Sequence, residues 1–231
     1  MKLIFKCIKI FLLFIIVAGG IYYFANNESL PEGRTGKEAD ALANKMLKAI
    51  DNNAYKNTEI IEWSFRGKHF YKWQKQKSIA TISWDKNKVI LHTDQPKKST
   101  IFVEGVKVVN TKILKKAIDF FNNDSFWLIA PYKTFDAGTE RRIVNYNGKE
   151  ALLVTFTSGG TTPGDSYLWV LDKNYIPTSF KMWTKIIPIG GVYATWSELK
   201  KTASGIKLPT KHQLSLFGMV LDMGEIKAYN K

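Results

Sequence analysis

The sequence predicts an α+β protein that is mostly β, with an antiparallel sheet covered by helices and an apolar helix at the N-terminus. Three observations support this prediction. Residues 10–25 form an unbroken apolar run. From residue 58 onward, apolar residues alternate with polar ones, which is typical of strands, whereas segments 36–52 and 111–130 keep helical spacing. About a dozen short strand-like runs joined by tight turns indicate a meander, not a parallel α/β sheet.

The composition narrows the class of protein and of site. With 231 residues, 45% of them hydrophobic and 13% aromatic, the chain is too apolar to be disordered and long enough for one domain plus a tail. A single cysteine, Cys7, excludes a disulfide framework and a cysteine-built metal site. A multi-histidine site would need His69, His92 and His212 together, so we predict no cofactor and no metal.

The N-terminal segment, residues 1–25, is predicted to be a signal peptide or a membrane anchor. Its apolar run follows Lys2, Lys6 and Lys9 and approaches the roughly 20 residues that cross a bilayer. Small residues near position 20 suit cleavage, whereas the apolar residues 21–24 prolong the run and favour an anchor. Because the lysines precede the run, the bulk of the chain is expected outside the cytoplasm.

A short linker and a first helix follow this segment. Residues 26–35 contain Pro, Gly and polar residues, as linkers do, and the domain is expected to occupy 36–231. Thr35 and Glu38 have capping-box spacing before the first helix, and Asn52 and Asn53 are candidates for its end.

The second helical segment interrupts the strands. In residues 111–130, Thr111 is a candidate cap, Asp124 is a candidate cap for a second short helix, and Pro131 ends the segment. We therefore expect a helix–turn–helix here. Nearby Asp119, Asp136 and Glu140 are best explained by capping or solvent exposure.

The apolar face of the sheet carries many tryptophans. Six of them lie in predicted strands: Trp63, Trp73, Trp84, Trp169, Trp183 and Trp196. The two helical segments are available to cover this face, which gives either a filled core or a cavity lined by aromatic side chains. Composition does not choose between the two.

Three stretches resemble a known family. Residues 123–139 and 162–191 are similar to an uncharacterised bacterial family of the LolA-like periplasmic lipoprotein-carrier superfamily, and residues 204–215 resemble a strand start of the carrier. The resemblance covers roughly residues 36–230. It implies an unclosed, curved antiparallel β-barrel whose helices form a lid over a hydrophobic cavity for lipid acyl chains.

Two features depart from the carrier. The carrier is soluble after cleavage, whereas this chain has a candidate anchor. The arginine that holds the carrier's lid shut matches no single residue, and Arg66, Arg141 and Arg142 are all candidates.

These observations lead to a predicted ligand site. The aromatic and apolar residues expected to line the cavity or the lid are Trp63, Phe65, Trp73, Phe120, Phe121, Phe126, Trp127, Leu128, Trp169, Trp183 and Trp196. The expected function is binding of a lipid or lipoprotein acyl chain in the cell envelope, with transport as one use. An envelope sensor or protein-binding module of the same fold is the alternative, and a hydrolase ranks last.

Enzyme and nucleic-acid functions find little support. Gly164-Asp165-Ser166 matches the start of a lipase signature. Because it follows Pro163 and leads into a predicted strand, we interpret it as a turn. The chain carries a net charge of +14, yet its lysines mostly alternate with apolar residues along strands, as on a solvated outer face. An anionic, apolar partner is therefore expected in preference to nucleic acid. The glycines of Ser158-Gly159-Gly160 and Gly190-Gly191 are expected to form bends, with a cavity mouth as one place for them.

Overall fold

In the computed structural model, which describes residues 2–231 and side chains from residue 4 onward, the chain forms four α-helices and fifteen β-strands. The helices are α1 (Lys2–Asn26), α2 (Lys37–Ala49), α3 (Asn52–Asn57) and α4 (Thr111–Ile129). Met1 and the side chains of Lys2 and Leu3 lie outside this description, and with them one lysine of the predicted N-terminal cluster. The predicted class, α+β and mostly β, is confirmed.

The strands follow one another along the chain with short connections. They are β1 (Ile60–Phe65), β2 (His69–Gln74), β3 (Ile79–Trp84), β4 (Asn87–His92), β5 (Thr100–Val103), β6 (Val106–Val108), β7 (Thr139–Tyr146), β8 (Lys149–Phe156), β9 (Ser166–Leu171), β10 (Pro177–Trp183), β11 (Val192–Thr195), β12 (Ser197–Lys201), β13 (Lys207–Gln213), β14 (Val220–Asp222) and β15 (Lys227–Tyr229). Every strand pairing is antiparallel, as the short turns require.

From Ile4 onward, helix α1 is mostly apolar, and none of its side chains is buried. Its segment Ile4–Asn26 is long and apolar enough to cross a membrane, with a mean hydropathy of 2.4 and none of it buried against the domain. A helix of this kind near the N-terminus suits a membrane anchor and a signal sequence alike.

The strands form three sheets that meet edge to edge. The first has the order β15-β1-β2-β3-β4-β5-β6, the second β11-β10-β9-β8-β7 and the third β12-β13-β14. Backbone hydrogen bonds from Ser64 to Met223 and from Arg66 to Asp222 join β1 to the β14 region. A bridge between Ala194 and Leu214 joins β11 to the end of β13. The sheets therefore continue into one another, from β6 at one end to β7 at the other.

The barrel is unclosed, as predicted. Strands β6 and β7 stay unpaired with each other within the described chain, and α4 is the connection that runs between them. Helix α4 packs against β3 and β4 of the first sheet and against β13 of the third. Its aromatic side chains reach the second sheet, so all three sheets surround the helix. Helix α2 covers β7 and β8.

The second helical segment is one helix, not the predicted helix–turn–helix. Helix α4 runs without a break to Ile129 and continues into a short 3-10 helix, Ala130–Lys133. Its cap is Asn110, whose side-chain oxygen accepts hydrogen bonds from the amides of Lys112 and Ile113. The prediction that Asp124 caps a second helix is wrong, because its carboxylate is buried and bound to strand residues.

Two further local predictions are also wrong. Helix α2 begins after Gly36 with no side-chain cap, so Thr35 and Glu38 form no capping box. Asn52 and Asn53 do not end that helix but begin α3, which Asp51 caps by accepting a hydrogen bond from the Ala54 amide.

Candidate ligand cavity

A cavity of about 890 Å³ lies between α4 and the second sheet. Its walls come from the C-terminal half of α4, from β9 and β10, and from the loops 157–165 and 184–187. Nine aromatic side chains line it: Trp73, Phe120, Phe121, Phe126, Trp127, Phe156, Tyr167, Phe180 and Trp196. Its volume falls within the roughly 300–1,000 Å³ that small-molecule sites occupy.

Six of the nine lining rings form one connected set: Phe126, Trp127, Phe156, Tyr167, Phe180 and Trp196. Phe126 of α4 lies 4.5 Å from Tyr167 and 5.3 Å from Phe156, measured between ring centroids. Trp127, the next residue, lies 5.7 Å from Phe180. Because adjacent α4 residues contact different strands, the helix position determines the shape of the cavity wall.

Two polar atoms on the lining lack hydrogen-bond partners among the described residues. They are Nε1 of Trp73 and Oγ1 of Thr184, and both are buried. A buried donor without a partner is costly, by about 1–3 kcal/mol. The cavity is therefore apolar over most of its wall but offers two polar atoms that a ligand can satisfy.

Helix α4 is attached to strand β2 by a buried carboxylate. Asp124 is 1% exposed, and its Oδ2 lies 2.7 Å from His69 Nδ1 and accepts a hydrogen bond of 2.5 Å from the Tyr71 hydroxyl. The Asn123 side chain donates to the other oxygen at 2.8 Å. Burial, and then the Asp124 charge, raise the pKa of Tyr71, so its hydroxyl keeps the proton that it donates.

A buried histidine makes the second attachment of α4. His212 places Nε2 2.7 Å from the Trp127 carbonyl oxygen and Nδ1 2.8 Å from the Thr195 carbonyl oxygen. Burial lowers the pKa of His212, while the two carbonyl oxygens act in the opposite direction. The imidazole thus joins the last turn of α4 to strand β11.

The structure brings six of the eleven predicted site residues to the cavity. Trp73, Phe120, Phe121, Phe126, Trp127 and Trp196 line it, whereas Trp63, Phe65, Leu128 and Trp169 lie in the main core. Trp183 lies on the opposite face of the second sheet, against a small cluster that includes Leu153 and Leu168. Whether any of these residues contacts a ligand stays a prediction.

Three aromatic lining residues were missed by sequence reasoning. Phe156, Tyr167 and Phe180 lie in strands whose alternation was recognised, but the prediction selected mainly tryptophans from those strands. In β10, Phe180 and Met182 line the cavity while Trp183 points the other way, as the period of two requires. Consistent use of the alternation would have found them.

Two of the three candidate lid arginines, Arg141 and Arg142, make contacts away from α4. Arg141 pairs with Asp40 of α2 and donates to the Thr134 carbonyl oxygen, and Arg142 pairs with Glu140. These contacts hold α2 and the start of β7, so within the described residues the arginine pairs do not include α4. The Asp124 and His212 contacts attach that helix instead.

The candidate catalytic serine is enclosed. Ser166 is 1% exposed, and its hydroxyl lies 2.9 Å from Thr155 Oγ1 inside the second sheet. Its neighbour Asp165 accepts hydrogen bonds from Thr162 and from the Lys185 amide, which suits the predicted turn. Within the described residues, no group of three His, Cys, Asp or Glu side chains is placed to hold a metal ion.

The two glycine-containing bends predicted from the sequence lie in different parts of the structure. Ser158, Gly159 and Gly160 line the cavity, in the loop between β8 and β9. Gly190 and Gly191 instead lie against Glu28, just beyond the end of α1.

Comparison with known proteins finds similarity in structure only. No protein-family model and no curated protein matches the sequence. A DUF1329 family protein from Desulfovibrio piger is similar with a TM-score of 0.45 and 10% identity, over 83% of this chain and 93% of that one. An outer membrane lipoprotein-sorting protein domain from Vibrio parahaemolyticus is similar with a TM-score of 0.37 and 9% identity, over 80% of this chain and 93% of that one. At this level of identity neither neighbour assigns the chain a function.

Proposed function

We propose that this protein binds the acyl chain of a lipid or lipoprotein in the cavity beside α4, in the bacterial cell envelope. The observation that carries the proposal is the cavity itself, about 890 Å³ in volume and lined by nine aromatic side chains. An acyl chain is a ligand that such a wall can hold without directional contacts, because each buried methylene contributes about 0.8 kcal/mol.

The polar atoms of the cavity suit the polar head group of such a ligand. Trp73 Nε1 and Thr184 Oγ1 are donors without partners among the described residues, and an ester or carboxylate oxygen accepts from both kinds of group. Lys115, Asp119, Lys133 and Asp136 on the lining lie at least partly in solvent. The fifth charged lining residue, Asp165, is buried and accepts hydrogen bonds from Thr162 and the Lys185 amide. The site therefore combines an apolar interior with polar groups, as binding of an amphiphile requires.

Entry to the cavity involves α4 and the loop 157–165. Helix α4 acts as the lid in this proposal, and contacts of Asp124 and of the Trp127 carbonyl oxygen hold its C-terminal half in place. Gly159 and Gly160, both at positive φ with open space around them, allow the facing loop to move aside. Lid motion of this kind sets the rate of access, not the affinity.

We also propose that α1 stays attached as an anchor and that the protein is a binding protein, not an enzyme. The last turn of α1 contacts the folded domain through Tyr22, whose ring stacks on Phe217 at 5.4 Å. The seryl hydroxyl of the lipase-like triplet is buried, and Ser166 is not among the residues that line the cavity. Transfer of lipid between membranes and sensing of lipid are two uses of the same binding step.

Native mass spectrometry of the full chain, purified from membranes in mild detergent, tests the proposal. We expect a mass that includes residues 1–25 and a second species carrying bound lipid, which extraction then identifies. Protein that carries no lipid, and that binds no fluorescent fatty acid, would contradict acyl-chain binding. Capture of a specific membrane protein by lipid-free chain would favour the protein-binding alternative.

A matched pair of variants tests the cavity directly. Phe156→Asp places a carboxylate against the bound chain, and Phe70→Asp makes the same change on the exposed side of β2. We expect fatty-acid affinity to fall about tenfold or more in the first variant, since an unpaired charge in an apolar site costs more than the about 1.4 kcal/mol that a factor of ten represents. The second variant should bind normally.

A further variant covers the case in which Phe156→Asp does not fold. Thr161→Trp adds bulk to an exposed residue of the loop that lines the cavity, without altering the core. We expect it to slow or block entry of the fluorescent fatty acid. Normal binding by both cavity variants would show that the ligand, if any, lies elsewhere.

A further inference from the structure

The segment that follows α1 is bound to the domain by hydrogen bonds and an ion pair. The Gly190 amide donates to the Asn27 side chain at 2.8 Å, and the Glu28 amide donates to the Gly190 carbonyl oxygen at 3.0 Å. The Glu28 carboxylate lies 2.6 Å from Lys181 Nζ, and its carbonyl oxygen accepts from Trp183 Nε1 at 2.8 Å. The end of the helix is therefore held directly on the loop between β10 and β11.

The two glycines of this loop make the close approach possible. A Cβ at Gly190 would lie 2.5 Å from the Glu28 carbonyl oxygen, and a Cβ at Gly191 would lie 2.8 Å from Glu28 Cβ. Any larger residue would push the helix end away. The loop 184–191 thus has a fixed position beside the C-terminal end of α1.

A second loop contacts α1 further along the helix axis. Phe217, in the connection between β13 and β14, stacks on Tyr22 with an angle of 9° between the rings. Tyr22 precedes Asn27 by five residues, which is about 7.5 Å along a helix. The loop 214–219 therefore reaches beyond the level of Gly190, alongside the apolar part of α1.

Both loops expose large apolar side chains near the helix end. Phe217 is 79% exposed, and Ile186, Met219 and Val220 are exposed too. Tyr193, also exposed, neighbours them, because its carbonyl oxygen accepts from the Ser215 amide. Apolar side chains gathered at the end of a membrane helix are typical of protein surfaces that enter the interface of a bilayer.

We infer that the loops 184–191 and 214–220 form a membrane seat that inserts into the non-cytoplasmic leaflet around the end of α1. The occupant of this surface is the lipid bilayer, because the surface is continuous with an apolar helix that has no buried side chain from Ile4 to Asn26. Ile186 and Ile187 belong both to the seat and to the cavity lining. The seat therefore orients the cavity so that one wall of it lies beside the leaflet.

This inference goes beyond acyl-chain binding and does not depend on it, since the seat can insert whether or not the cavity takes a ligand. It is tested with the full chain in proteoliposomes, in which Cys7, the one native cysteine, is replaced by serine. Phe217→Cys carries an environment-sensitive fluorophore, and the liposomes contain phospholipids with a spin label on the acyl chain. We expect a blue-shifted emission and a clear loss of fluorescence to the lipid-borne quencher.

The matched control is Val109→Cys with the same fluorophore. Val109 is the most exposed apolar residue, at 98%, and lies before α4 and far along the chain from both loops. Its label should show neither the blue shift nor the quenching. A label at residue 217 that the acyl-chain quencher leaves unaffected, or equal quenching at both positions, would overturn the inference. If circular dichroism shows that Phe217→Cys does not fold, the same label at Val220→Cys reports on the same seat.

Discussion

His69 Nδ1 lies 2.7 Å from Asp124 Oδ2, which joins strand β2 to the middle of helix α4. Tyr71, two residues along the strand, donates to the same oxygen, and the His69 ring stacks on Phe120 of the helix at 3.8 Å. A buried carboxylate is stable only when it is paired, so this cluster specifies where the helix sits against the first sheet. The helix position in turn shapes the cavity.

Asp124→Ala is expected to loosen α4 and lower the free energy of unfolding by about 1.5–3 kcal/mol, the range for hydrogen bonds to a charged group. The Tyr71 hydroxyl would be left buried without its partner. Urea unfolding of the full chain in detergent measures the loss. Asp119→Ala is the control on the same helix, because Asp119 is partly exposed and pairs with Lys115 one turn away. It should cost only about 0.3–0.5 kcal/mol, and an equal loss in both variants would refute the role of the cluster.

Thr184→Val is expected to leave the stability of the ligand-free protein unchanged or to raise it. The buried hydroxyl of Thr184 has no partner among the described residues, so the substitution removes an unmet polar group. The matched change, Thr134→Val, removes a buried hydroxyl that donates to the Pro131 carbonyl oxygen at 2.7 Å. It should cost about 0.5–1.5 kcal/mol. Thermal unfolding compares the two, and a larger loss at Thr184 would mean that its hydroxyl is satisfied in the protein.

Glu62 is expected to contribute a small, pH-dependent part of stability. The Lys72 ammonium and the Tyr229 hydroxyl, which both bind its carboxylate, lower the pKa of Glu62. Its contribution is therefore fully present above the ordinary carboxyl pKa of about 4.3 and is lost as the pH falls through the lowered value. Because the group is partly exposed, we expect about 0.2–1 kcal/mol.

The free energy of unfolding of Glu62→Gln and of the parent, measured at pH 7 and at pH 3, tests this expectation. The variant should be less stable than the parent at pH 7, and the difference should shrink toward pH 3, because the parent carboxylate is protonated progressively as the pH falls through its lowered pKa. Glu32→Gln, a change at an exposed carboxylate, is the control and should alter neither value much. A difference that stays constant with pH would mean that the Glu62 charge contributes nothing.

The class of fold could be predicted because periodicity is a local signal. Alternation placed most strands correctly, and the apolar run gave α1. The long final run split around Gly224, which has positive φ, into β14, which pairs with β13, and β15, which pairs with β1. Which strand lies beside another is a long-range property, and no local pattern carries it.

The candidate site could be predicted only in part for the same reason. Five residues of α4 were expected to face the ligand. Phe120, Phe121, Phe126 and Trp127 line the cavity, whereas Leu128 lies in the core. The pairing of Asp124 with His69 and Tyr71 was missed, since more than fifty residues separate the partners in sequence. A lone acidic residue in a helix pattern resembles a cap or a surface residue until its partners are known.

By itself the sequence determined that this protein is mostly β, that α4 interrupts the strands, and that an apolar helix precedes the domain, because hydrophobic spacing dictates local structure. Only the tertiary structure decided between a filled core and a cavity. The same aromatic side chains can fill a core or line a cavity, and the outcome depends on how closely α4 approaches the second sheet. That distance is set by contacts such as Asp124 with His69 and His212 with Trp127, which form only once the three sheets surround the helix.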